Sequence, residues 1–125
     1  VGANKGWRRD DGIVQVTCGS DTHSAGTVYS RQDALDALQL CEDLKSKNGA
    51  LFLLCDIKKL KKTDSEARYI APPTGTARLA LLVESPVSRM LGNAYMGFRP
   101  PACPTRIFTE ESPAVRWLIS GMPSE

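Results

Sequence analysis

The 125-residue sequence has no long hydrophobic run and almost no excess of charge. Its apolar runs are far shorter than the roughly 20 residues that a membrane helix needs, and residues 1–11 have no apolar core like that of a signal peptide. Sixteen basic and fourteen acidic residues leave a net charge of +2, which is too small to attract nucleic acid by charge alone. We therefore expect a cytoplasmic protein that neither inserts into a membrane nor binds nucleic acid.

Motifs typical of metal, redox and catalytic sites are also missing from the sequence. The single histidine, His23, lies in a polar segment, and the cysteines form no C-x-x-C pair and have no histidine nearby. The usual zinc and redox spacings are therefore absent, as are a catalytic triad and a glycine-rich phosphate loop. We predict a non-enzymatic protein that uses no cofactor and no metal. The four cysteines are expected to be reduced core residues: Cys18, Cys41, Cys55 and Cys103.

The chain length fits one domain, which we predict over residues 12–121 after an N-terminal extension at residues 1–11. Apolar and β-branched runs predict strands at residues 12–18, 27–29, 50–56, 77–83 and 105–108. The second strand is expected to return as an antiparallel hairpin partner of the first. Alternating helices complete an α/β fold, a mixed β-sheet in the order β-β-α-β-α-β-α-β-α with three parallel strands and four helices.

Hydroxyl side chains mark the expected helix starts. Ser30 with Asp33 and Thr63 with Glu66 have the spacing of a capping box, Ser85 precedes a proline suited to the first turn, and Thr109 precedes two glutamates. The first helix is expected to end near Lys45, and the last at Gly121. The helix after Thr63 must end at Pro72.

Two local patterns resemble the STAS-like family of small bacterial α/β domains, which includes anti-sigma-factor antagonists and SpoIIAA-like domains. Asp56 and Asp64 lie eight positions apart with Leu60 between them, as in the regulatory loop of that family. The segments A-R-L-A-L-L-V, S-P-V-S-R-M-L-G-N and P-T-R-I-F-T-E-E-S-P-A-V-R-W-L are similar to a narrower, uncharacterised STAS-like group. The resemblance covers about residues 10 to 120 and implies a STAS-like fold.

One position departs from the family pattern. Phosphorylated family members have a hydroxyl residue two positions after the aspartate, and this sequence has Glu66 there, with Ser65 one position early. A carboxylate cannot accept a phosphoryl group from the family's kinase, although its charge can imitate the phosphorylated state. The resemblance therefore implies an interaction surface at Asp64, Ser65 and Glu66 without predicting a phosphorylation switch.

Ligands of open α/β sheets bind beyond the carboxyl ends of parallel strands, close to helix N-termini. Ser85, Ser88 and Arg89 follow one such strand, and together they could hold an anion. The alternative is that Ser85 only caps a helix and Arg89 is an ordinary surface residue. The lysine-rich segment 58–62 could contact phosphate or an acidic partner, or it could be a solvated loop.

We expect the protein to be an interaction or regulatory module that binds a protein partner or itself, with a homodimer as the expected form of self-association. The resemblance and the small size both favour this class. The alternative function is the binding of a small anionic ligand or a lipid.

Overall fold

The computed structural model describes residues 4–19, 29–45, 50–60, 75–84, 86, 89 and 103–122. Within these ranges it contains five strands and two helices. In chain order they are β1 (Asn4–Arg8), β2 (Val14–Cys18), α1 (Arg31–Leu44), β3 (Leu51–Asp56), β4 (Thr76–Leu82), β5 (Thr105–Phe108) and α2 (Glu111–Ser120).

The five strands form one mixed sheet in the spatial order β1-β2-β3-β4-β5. Strand β1 is antiparallel to β2, and β2, β3, β4 and β5 are parallel to one another. The mixed α/β sheet is therefore confirmed, but four strands are parallel and not three. Strand β2 is the additional parallel strand. The chain passes from β2 to β3 through α1, and a crossover connection of this kind leaves the two strands parallel.

The antiparallel partner of β2 precedes it in the chain. The sequence predicted this partner at residues 27–29, of which only Tyr29 lies within the described residues. In the structure, β1 pairs with the whole of β2, so that Asn4 faces Cys18 and Arg8 faces Val14. The predicted extension at residues 1–11 therefore contains one of the two edge strands of the described sheet.

A tight turn joins β1 to β2. The Arg9 amide donates to the Ile13 carbonyl at 2.7 Å, and the Gly12 amide donates to the Arg9 carbonyl at 3.0 Å. Gly12 has a φ of 88°, a conformation that favours glycine. An Asp-Gly pair before a β-branched run is a hairpin signal, and Asp11-Gly12 provides it here.

The two faces of the sheet carry separate cores because the central strands are covered on both sides. Helix α1 packs against one face, where Val16, Leu53 and Leu81 are buried. Helix α2 packs against the other face through Ala114 and Leu118, both fully buried.

The helix ends follow their capping residues. Ser30 and Asp33 form the predicted capping box, and α1 ends with Lys45 as its C-cap. Helix α2 ends at Gly121 as predicted, but its N-cap is Glu110 and not Thr109, and Glu110 makes no side-chain capping bond. Two further predicted helices fall on residues 63–71 and 85–98, which lie outside the described residues apart from Pro86 and Arg89.

Candidate functional site

The carboxyl ends of β2, β3, β4 and β5 lie along one edge of the sheet because these four strands are parallel. This edge is where ligands of open α/β sheets bind. The chain leaves it through Gly19 after β2, Ile57 after β3, Val83 after β4 and Thr109 after β5. The edge therefore contains the candidate functional site.

A short basic turn leaves this edge after β3. We call residues 56–60 the lysine turn because Lys58 and Lys59 lie at its tip. Its backbone is held at three points: the Ile57 amide donates to the Leu82 carbonyl at 3.0 Å, the Leu60 amide donates to the Ile57 carbonyl at 3.1 Å, and the Lys58 amide donates to Asp56 Oδ1 at 3.0 Å. The backbone of the lysine turn is therefore held in place at this edge of the sheet by hydrogen bonds.

The lysine turn is also anchored by apolar contacts. Ile57 and Leu60 are 7% and 6% exposed and belong to the core on the α1 side. Gly19, at the end of β2, lies so close to Leu60 that a β-carbon there would come within 2.9 Å of Leu60 Cδ2. Gly19 also has a φ of 79°, so both the space and the backbone favour glycine. The contact joins the end of β2 to the lysine turn.

The two lysines at the tip have different surroundings. Lys58 Nζ lies 3.8 Å from Asp56 Oδ2, and the Lys58 side chain is 37% exposed. Lys59 is exposed. The Asp56 side chain is only 14% exposed, so Lys58 is the accessible member of the pair and can meet an external carboxylate while it stays beside Asp56.

Most of the site residues predicted from the sequence lie outside the described residues. This applies to Asp64, Ser65 and Glu66 of the family loop and to Ser85 and Ser88. Arg89 is described: it is helical and exposed, as is Pro86, which agrees with the predicted position of a helix there. The anion site at Ser85, Ser88 and Arg89 stays a prediction.

A buried polar cluster lies behind the edge, between the sheet and the start of α1. Tyr29 Oη donates to Asn4 Oδ1 at 2.6 Å, and Asn4 Nδ2 donates to the Asp33 carbonyl at 2.8 Å. Asn4 is 1% exposed and Tyr29 is 5% exposed. Buried polar groups need such partners, and the cluster fixes β1 and the start of α1 relative to each other.

Two thiols extend this cluster into the sheet. Cys18 Sγ and Cys55 Sγ are 3.7 Å apart, and both cysteines are free. The hydrogen bond to Cys55 lowers the pKa of Cys18 against the opposing effect of burial. The pKa of Cys55 is raised, chiefly by its hydrogen bond to Cys18 and then by burial. The hydrogen bond between the two thiols therefore couples their titrations, so that the proton lost first belongs to the pair and not to one cysteine.

This thiol pair is not predicted by the sequence. The cysteines were expected in the core, which holds for Cys18 and Cys41, whereas Cys55 and Cys103 are only partly buried. A signal was available, since each of Cys18 and Cys55 lies at or next to the end of a strand and the two strands are neighbours. Only the register of β2 on β3 brings the two sulfurs together.

Two features are absent from the described part of the chain. No group of three or more His, Cys, Asp or Glu residues there is arranged to hold a metal ion. None of the helices in these ranges is long and apolar enough to cross a membrane.

Comparison with solved structures identifies the class of fold. The chain resembles an uncharacterised protein of the DUF3478 family from Shewanella loihica PV-4, described as having a SpoIIAA-like fold, with a TM-score of 0.55, 16% identity and coverage of 93% of this chain and 92% of that one. The expected STAS-like, SpoIIAA-like fold is thereby confirmed. A protein of unknown function from Arthrobacter sp. FB24 is 29% identical over 90% of both chains, with a TM-score of 0.32.

The family follows from the sequence match. Residues 7–121 match the model of a domain of unknown function, DUF7793, and the chain belongs to that family. No curated protein matches the chain significantly.

Proposed function

We propose that this chain is a non-enzymatic interaction module that binds an acidic protein surface through the lysine turn. The observation that supports the proposal most directly is the anchoring of that turn, whose backbone is hydrogen-bonded and whose flanking residues Ile57 and Leu60 are buried. The SpoIIAA-like fold supports an interaction role by analogy of fold alone.

Anchoring matters because association has to offset the entropy lost when flexible groups become ordered. In the lysine turn the backbone beneath Lys58 and Lys59 is already ordered by its hydrogen bonds. A partner then has to order only the lysine side chains, at about 0.5–1.5 kcal/mol for each one immobilised.

The local charge gives the chemistry of the partner. Four lysines occur among the five residues 58–62, although the whole chain carries a net charge of only +2. A cationic patch on a nearly neutral protein favours a partner with a complementary acidic patch, and it raises the rate of association more than the affinity. No aromatic residue interleaves with these lysines, so a surface that stacks nucleic-acid bases is not expected.

A pull-down from host lysate with the charge-reversed variant K58E/K59E tests this function. The wild-type protein should recover a partner that K58E/K59E does not, and the control R116E should recover it as well as wild type does, because Arg116 is an exposed residue of α2. The proposal fails if no partner is recovered, or if K58E/K59E recovers it equally well.

Light scattering on the eluate of a sizing column tests whether the partner is a second copy of the chain. A dimer that dissociates in K58E/K59E and persists in R116E would identify the acidic partner surface as part of this chain. A dimer that persists in both variants would mean that self-association uses another face.

A second candidate function is the binding of a small anion or an anionic lipid at the same edge. Strands β3 and β4 are neighbours, and Arg89 is an exposed helical residue that follows β4. The lysine turn and Arg89 could then approach one anion from two sides. A thermal-shift screen with phosphates, nucleotides and acyl lipids separates this function from protein binding. R89A should abolish any rise in Tm that a ligand causes in the wild-type protein. A rise in Tm that R89A leaves intact would exclude Arg89 from the site.

A further inference from the structure

The strongest unassigned feature is the thiol pair inside the carboxyl edge. Val16 of β2 pairs with Cys55 of β3, so Cys18 lies two residues further along β2, diagonally opposite Cys55. Both cysteines contribute to the core on the α1 side of the sheet. The register therefore places the two thiols next to each other on this face, with their sulfurs 3.7 Å apart.

We propose that Cys18 and Cys55 are an oxidative modification site, at which a small peroxide such as hydrogen peroxide converts the two thiols into an intramolecular disulfide. Cys18 is 5% exposed, whereas Cys55 is only partly buried. Bulky oxidants are therefore excluded from the pair, and the oxidant has to be small.

The reaction balances with peroxide as the only oxidant. The thiolate of one cysteine attacks one peroxide oxygen, the O–O bond breaks, and the products are a sulfenic acid on that cysteine and hydroxide, which takes up a proton as water. The second cysteine, losing its proton, then attacks the sulfenic sulfur and expels its oxygen as a second water. Two thiols lose two electrons and two protons, and one peroxide becomes two waters.

The distance between the two sulfurs supports the first step. The thiolate is the nucleophile in such reactions, and a thiol hydrogen-bonded to its neighbour at 3.7 Å stabilises a thiolate within the pair. Cys41 is the contrasting case, since burial, followed by the charges on Cys18 and Glu42, raises its pKa to about 12. Cys41 should therefore not react under conditions that oxidise the pair.

Closing the bond requires a modest local movement. The sulfurs must approach from 3.7 Å to a bonded distance of about 2.05 Å. Parallel strands lie about 4.8 Å apart and rise about 3.3 Å per residue, so Cα atoms offset by two residues are about 8 Å apart, beyond the usual disulfide range. The end of β2 can supply the shift, because Cys18 is its last residue and Gly19 follows. Gly19 contacts Leu60, so the shift is transmitted to the lysine turn.

Peptide mapping of the full-length chain tests the proposal directly. Trypsin places each cysteine on its own peptide: residues 10–31, 32–45, 48–58 and 90–106. The folded protein is treated with hydrogen peroxide, free thiols are blocked with N-ethylmaleimide, and the digest is analysed without reduction. The expected product links peptide 10–31 to peptide 48–58, and a reductant added before digestion removes it.

Control variants make the result decisive. C18S and C55S should each abolish the linked peptide, whereas C103S should form it at the wild-type rate. C18S alters a buried residue and could fail to fold. For that reason the result for C55S and the identity of the linked peptide from the wild-type protein each test the Cys18–Cys55 disulfide without it. The proposal is overturned if both thiols of the folded protein still react with N-ethylmaleimide after peroxide, if the link joins other cysteines, or if it forms only in denaturant.

This inference does not depend on the proposed function. Disulfide formation with no change in partner recovery would leave the modification site established and would show that it does not control the lysine turn.

Discussion

Replacing Tyr29 with phenylalanine tests the buried cluster that joins β1 to α1. The change removes the hydroxyl that donates to Asn4 Oδ1 at 2.6 Å and leaves the ring in place. Both residues are almost completely buried, at 5% and 1% exposure. Because the Asn4 oxygen loses this donor in a site from which water is excluded, we expect Y29F to lower the free energy of unfolding by about 2 kcal/mol, within the range of about 1–3 kcal/mol for such losses.

Urea unfolding followed by circular dichroism measures this loss. For a chain of this length about 2 kcal/mol corresponds to a fall in Tm of roughly 6–10 °C. The matched control is W7F, because Trp7 is 45% exposed and its replacement should change stability by no more than about 0.5 kcal/mol. A double-mutant cycle of Y29F with N4A should give a coupling energy of about 1 kcal/mol or more. Equal losses of stability in Y29F and W7F, or a coupling energy near zero, would show that the hydrogen bond between Tyr29 and Asn4 does not stabilise the fold.

Two other predictions concern α2 and Cys41. Arg78 Nη1 donates to the Trp117 carbonyl at 2.7 Å and to Ser120 Oγ at 3.0 Å, so R78M should cost about 1–2 kcal/mol in urea unfolding. The guanidinium groups of Arg78 and Arg106 both lie over aromatic rings, but among the described residues Arg106 makes no such side-chain hydrogen bonds to α2, so R106M should cost less. The reverse order would contradict this role of Arg78. The pKa of Cys41 rises from 9.0 in the unfolded chain to about 12 in the folded protein, so the folded state holds this proton more tightly. The stability contributed by Cys41 is then complete below pH 9 and is lost as the pH rises towards about 12. The difference in free energy of unfolding between wild type and C41A should therefore shrink between these two pH values. A constant difference would contradict the raised pKa.

The sequence predicted the parallel strands well because their signals are local. Residues 50–56 and 77–83 were expected as buried strands, and β3 and β4 lie within one residue of those ranges. An apolar run without alternation is typical of a strand covered on both faces, and both helices do cover this sheet. The start of α1 was equally predictable, since the capping box of Ser30 and Asp33 needs only neighbouring residues.

Strand β1 was missed because an edge strand needs no apolar pattern. Its sequence, N-K-G-W-R, has one large apolar residue, and that residue, Trp7, is exposed. Its place in the sheet depends on tertiary contacts: Asn4 bonds to α1, and Gly6 lies so close to Leu40 of α1 that a β-carbon would come within 2.9 Å. Contacts of this kind cannot be predicted from propensity.

The candidate site was only partly predictable for a related reason. The lysines of residues 58–62 were visible in the sequence as a basic segment. Whether residues 56–60 form a solvated loop or an anchored turn depended on the burial of Ile57 and Leu60, which the sequence does not show. The thiol pair depended on the register of two strands that are separated by the 32 residues 19–50, and no local pattern contains that register.

The affinity of the recovered partner for K58E/K59E, compared with wild type and R116E, tests the central claim most directly. Titration calorimetry at two salt concentrations provides the measurement. We predict that K58E/K59E weakens binding at least about tenfold, because like charges then face each other across the interface, and that R116E binds like wild type. Higher salt should weaken binding of the wild-type protein. Equal affinities for K58E/K59E and wild type would contradict the assignment of the lysine turn as the binding surface.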